Sequence, residues 1–123
     1  MSSAAKDPLF MYMARLTGVQ AKKLSQFFED VGKRPWEDNT NARDALLLSH
    51  RLKVWYMKKG KNGVPEDTME KFVFKMWEWT FIIAWLSAEL KRNPGDFGME
   101  EILEQVQMSE LMVPDILKLG HYE

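Results

Sequence analysis

Few residues in this sequence are of the type and spacing that do covalent or acid–base chemistry. The only histidines are His50 and His121, and neither stands in a motif with a serine, threonine or lysine it would activate. The chain has no cysteine, which removes thiol nucleophiles, thiolate metal sites and disulfides together and suits a reducing compartment. Glu100, Glu101 and Glu104 cluster, but no Glu-x-x-His, His-Glu-x-x-His or Asp-rich calcium loop accompanies them, so they read as a solvated face. Gly60-Lys61-Asn62-Gly63 lacks the strand and spacing of a phosphate-binding loop and reads as a basic turn. The expectation is a chain without catalytic residues, metal or cofactor, and not an enzyme.

What remains is the chemistry of charge. At helical spacing, Arg43, Leu47, His50, Arg51, Val54 and Lys58 form a continuous stripe, and Lys53, Lys59 and Lys61 extend its positive field. Over these residues the stripe runs roughly 22 Å at 1.5 Å per residue, enough to follow several phosphates of an extended strand. Arginine grips a phosphate with two donors, lysine supplies a point charge, and the aliphatic residues between them can support sugars or bases. A plain solvated surface and a site for an acidic protein partner are the competing readings. Trp36, beside Lys33 and Arg34, is a further candidate for stacking on a base.

Formal net charge is only −1, but its distribution is uneven. Residues 1–62 carry 12 basic and 6 acidic side chains, 63–95 carry 4 and 5, and 96–123 carry 1 and 7, giving +6, −1 and −6. The acidic segment can fold against the basic half, or neighbouring copies can pair one with the other. If it locks Arg51, Lys53 and Lys58 into ion pairs, the phosphate reading loses its basis. With 123 residues, 46% hydrophobic and 28% charged, the chain suits one ordinary domain, 1–123, ending in that acidic segment. Its longest uncharged stretch worth testing for a membrane, Trp79–Ala88, is about half the roughly 20 residues a membrane helix needs. With no secretory signal at the N-terminus, a cytoplasmic location is expected.

The elements that would hold these residues read as helices throughout. Asp7-Pro8 opens a short apolar helix to Leu16, and Thr17 with Gln20 forms a capping box for a second, with Leu24, Phe27, Phe28 and Val31 inward and Gly32 at its end. A third, capped by Thr40 or Asn41, runs to about Lys59 with Ala45, Leu48, Leu52, Trp55 and Tyr56 inward. Pro65 begins a fourth that ends at Lys91-Arg92, with Met69, Phe72, Val73, Met76, Thr80, Ile83 and Ala84 inward. In that phase Ile82 and Trp85 fall within the polar stripe of Lys71, Lys75, Glu78 and Glu89, as an apolar patch suited to contact with another protein. A short acidic helix spans about Met99–Met108, and Pro114 starts a last turn. The expected fold class is all-α, a single-domain bundle of four main helices with short terminal ones and no sheet.

With the helices so placed, the order of features resembles the helical small subunit of type III CRISPR effector complexes. The resemblance is carried by Leu16-Thr17 with Gln20, Lys22, Lys23, Phe27, Phe28 and Val31; by Leu46-Leu47-Leu48 to Arg51 and Lys53; and by Phe72-Val73 through Trp77-Glu78 to Ile83-Ala84-Trp85. It covers residues 16–92 and rests on residue classes rather than an invariant motif. It implies a non-catalytic subunit of an antiviral ribonucleoprotein, stacked beside other subunits or copies of itself, with its basic face toward single-stranded or guide-paired nucleic acid. Arg43, Arg51, Lys53 and Lys58 would then neutralise phosphate, and Ile82 and Trp85 would meet neighbouring protein. A protein–protein adaptor or inhibitor with no nucleic-acid role is the alternative.

Overall fold

The computed structural model describes residues 11–34, 38–58 and 68–112. In chain order they form β1 (Met11–Leu16), α1 (Gly18–Gly32), α2 (Asn39–Lys58), β2 (Glu70–Lys75), α3 (Met76–Arg92), α4 (Phe97–Gln107) and β3 (Glu110–Met112). The chain is therefore mostly helical but not all-α, because three strands build a sheet in the order β2-β1-β3. It divides into two compact units, one of Leu16–Glu70 and the other of Met1–Arg15 with Lys71–Glu123.

The unit of Leu16–Glu70 holds α1 and α2. The capping box that the sequence predicts is formed, with the Gln20 amide donating to Thr17 Oγ1 at 3.1 Å and the Thr17 amide to Gln20 Oε1 at 2.9 Å. Leu24, Phe27, Phe28 and Val31 are buried as the period of α1 requires. The start of α2 differs from expectation. Asp38 accepts from the Asn41 amide at 2.8 Å, so the cap lies before Thr40. Ala45, Leu48 and Leu52 are the buried stripe of α2, and Trp55 and Tyr56 are half-buried at its edge.

Two segments of the other unit overturn the sequence expectation. Met11–Leu16, expected as helix, is β1, the central strand, and β3 pairs antiparallel with it, Met11 opposite Met112 and Tyr12 opposite Leu111. Its residues are good helix formers, but tertiary pairing on both edges outweighs that local preference. Glu70–Lys75, expected as the first turns of a long helix, is β2, in which Phe72 and Phe74 are buried and Lys71 and Lys75 exposed. That alternation has the two-residue period of a strand.

The long helix accordingly begins only at Met76. Glu78 Oε1 accepts the Lys75 amide at 2.8 Å, and Glu78, Ile82 and Leu86 form the buried stripe of α3. In α4, Asp96 Oδ1 accepts the Met99 amide at 3.1 Å, and Met99, Ile102 and Val106 are buried. Trp79 ties α3 to both neighbours in this unit: its Nε1 donates to the Val106 carbonyl at 2.9 Å and its ring stacks on Tyr12, centroids 4.2 Å apart and planes 8° apart. No helix among the described residues is long and apolar enough to cross a membrane. Lys59, Lys61, His121, Trp36 and the turn expected at Pro114 lie outside the described residues.

Candidate nucleic-acid interface

The basic stripe is carried by α2, which α1 holds by one side. Small residues at the crossing let the two backbones approach: Ser25 Oγ donates to the Ser49 carbonyl at 3.0 Å, and Ser49 Oγ donates to the Ser25 carbonyl at 2.8 Å. Further along, Gly32 is where α1 meets the Leu46 side chain, and a Cβ there would overlap Leu46 Cγ and Cδ2. Burying Ala45, Leu48, Ser49 and Leu52 against this partner turns the opposite side of α2 outward.

On that outward side Arg43, Leu47, His50 and Lys53 are exposed, and Arg51 and Val54 are half-buried. Lys58 is the last residue of α2, and its side chain lies outside the described residues. Arg43, His50 and Lys53 thus share one helix face over about 15 Å of its length. Leu46, Leu47 and Met57 are exposed on the same face, at 41%, 55% and 63%, so basic and apolar side chains are interleaved along it.

One flank of this face is a shallow groove of about 250 Å³ between the two helices, lined by Glu29, Lys33, Leu46, Ser49, His50 and Lys53. Glu29 stands between two cations, with Lys33 Nζ at 2.8 Å from Oε2 and Lys53 Nζ at 3.8 Å from Oε1. The hydrogen bond and charge of Lys33, and then the charge of Lys53, hold the Glu29 carboxyl below its usual 4.5. By the same contact Glu29 raises the Lys33 ammonium above its usual 10.5. Such solvent-facing pairs contribute little net stability, so either lysine can exchange this carboxylate for a phosphate. The partner of Lys53 here is a carboxylate of the adjacent helix.

The sequence reading named Lys53 and His50 but missed what surrounds them. Glu29 and Lys33 carried a legible signal, an i,i+4 acid–base pair at the end of α1, whereas Ser49 was hidden inside an otherwise apolar stripe. The expected protein-contact patch requires correction: Ile82 is 0% exposed and part of the core, and Trp85 is half-buried beside Phe81, ring centroids 6.0 Å apart. The cause is phase. Counting Met69, Phe72 and Val73 as helix set an inward face that α3 does not have, and Thr80 and Ala84, expected inside, are exposed.

Among the described residues no group of three or more histidine, aspartate or glutamate side chains is placed to hold a metal ion. Comparison with protein-family models, with curated proteins and with solved structures finds no match to this chain.

Proposed function

We propose that the chain is a non-catalytic, nucleic-acid-contacting subunit of a larger assembly, in which the outward face of α2 meets the sugar–phosphate backbone of a single-stranded or guide-paired nucleic acid. The observation that carries this reading is the exposure of Arg43, His50 and Lys53 on one face of a helix whose other face is core. Guanidinium, imidazole and ammonium donors at this spacing serve phosphates along a strand without reading its sequence. Leu46 and Leu47 supply apolar support between them. Strand binding by the full chain should be salt-sensitive, and Arg43→Glu with Lys53→Glu should weaken it about tenfold or more for every sequence alike. Absence of binding at low ionic strength, or indifference to both reversals, overturns the reading.

The resemblance to small subunits of type III CRISPR effector complexes supports this proposal through α1 and α2. Its third part is changed, because Phe72-Val73 lies in β2 rather than in the long helix. A second reading, an adaptor for an acidic protein, is favoured by the exposed Leu47 and Met57. Binding to an acidic helical peptide that exceeds binding to RNA or DNA selects it.

A further inference from the structure

The acidic helix α4 carries a face whose pattern complements that of α2. Met99, Ile102 and Val106 are its buried side, and opposite them Phe97, Glu100, Glu104 and Met108 are exposed within an arc of about 80°. Phe97 is 78% and Met108 80% exposed, large apolar groups at the two ends of a carboxylate row. On α2 the order is the same with basic side chains in place of the carboxylates: exposed Leu47, then His50 and Lys53, then exposed Met57. The apolar ends are about 15 Å apart on α2 and about 16 Å apart on α4 at 1.5 Å per residue, so the two rows match in length, and the Lys53 ammonium has a carboxylate to meet.

We propose that a second copy of this chain is the occupant of the α2 face, docked through its α4. Apolar ends then meet apolar ends, removing four large exposed side chains from water, and Glu100 and Glu104 face His50 and Lys53. Lys53 gives up its 3.8 Å pairing with Glu29, the longer of the two contacts that carboxylate makes, while Lys33 stays at 2.8 Å. The contact is heterologous, joining different faces of the two copies. It does not rest on the nucleic-acid reading, but it uses the same face, so strand binding and self-association compete.

Sedimentation velocity on the full chain at low ionic strength, and again near 1 M salt where the screening length is about 3 Å, tests this. The wild type should self-associate at low salt and dissociate at high salt. Lys53→Glu alone and Glu104→Lys alone should each weaken association by about tenfold or more, the effect of losing one close charge pair. An equimolar mixture of the two variants should recover association, because the intact α2 of the Glu104→Lys chain meets the intact α4 of the Lys53→Glu chain and the two reversed faces meet each other; a global folding defect in either cannot produce that recovery. A monomeric wild type at every concentration, a variant that associates as the wild type does, or a mixture as weak as its components each overturns the proposal. Glu104 lies off α2, so Glu104→Lys separates the two activities: it lowers self-association and leaves strand binding at wild-type strength or above.

Discussion

Ser25 and Ser49 exchange hydrogen bonds, each hydroxyl donating to the other residue's backbone carbonyl, at 3.0 and 2.8 Å. Each hydroxyl has one proton and spends it on a carbonyl, so the 3.2 Å between the two Oγ atoms is a close approach that records how tightly α1 and α2 cross. The crossing fixes which side of α2 is buried and therefore which side carries Arg43, His50 and Lys53 to the surface.

Replacing either serine by alanine should cost about 1 kcal/mol, the net value of one buried hydrogen bond, in urea or thermal unfolding. Ser49→Leu should cost more, about 1–3 kcal/mol, because the extra volume pushes the helices apart. Equal stability of all three with the wild type contradicts the crossing described.

At Gly32 an added Cβ would overlap Leu46, which must then leave its place on the end of α1. Gly32→Ala should destabilise by about 1–3 kcal/mol. The double variant Gly32→Ala with Leu46→Ala should recover part of that loss in the same unfolding experiment.

Glu29 gives the basic groove a pH dependence with a definite sign. Its carboxyl is held below 4.5 in the fold, so its contribution is present above that value and is lost as pH falls through the depressed one. Lys33 has the opposite sense: raised above 10.5, it contributes below that value and loses its contribution as pH climbs through the raised one. Thermal midpoints of wild type and Glu29→Gln should therefore differ slightly at neutral pH and converge well below 4.5. At neutral pH, Glu29→Gln should also tighten strand binding, because Lys33 and Lys53 lose the carboxylate that competes with phosphate. Weaker binding by this variant contradicts the groove's assigned role.

The strand assignment of β2 puts Phe72 and Phe74 on one buried face, whereas a helix would set them about 200° apart. Phe72→Ala and Phe74→Ala should each cost about 3–5 kcal/mol, while Lys71→Ala and Lys75→Ala should stay within about 0.5 kcal/mol. A loss at Lys71 or Lys75 as large as at the phenylalanines would place this segment in another conformation.

The helical hairpin was legible because its signals are local. Thr17 and Gln20 sit three apart, Leu24 to Val31 keep the helical period, and Ala45, Leu48 and Leu52 mark the inner side of α2. The sheet was not legible in the same way. Met-Tyr-Met-Ala-Arg-Leu contains no β-branched residue, and what makes it a strand is a partner almost a hundred residues away at Glu110–Met112. Lys71-Phe72-Val73-Phe74-Lys75 is a short apolar run between two lysines, which does not tell strand from helix by its period, and it runs without a break into Met76, so strand and helix read as one element and Ile82 is turned the wrong way. The groove followed the same division, since Lys53 and His50 are named by their own helix and Glu29 joins them only through the packing of α1 on α2.

The most direct measurement is amide chemical-shift mapping of the full chain titrated with a short single-stranded oligonucleotide at low ionic strength. Perturbations are expected along α2 from Arg43 to Met57, with Lys33 at the groove's edge, and on α4 only as far as the strand displaces it from a second copy. They should fade as salt is raised. Perturbations centred on α4 or on the sheet, or a spectrum indifferent to the oligonucleotide, would contradict the assignment of the outward face of α2 as the binding surface.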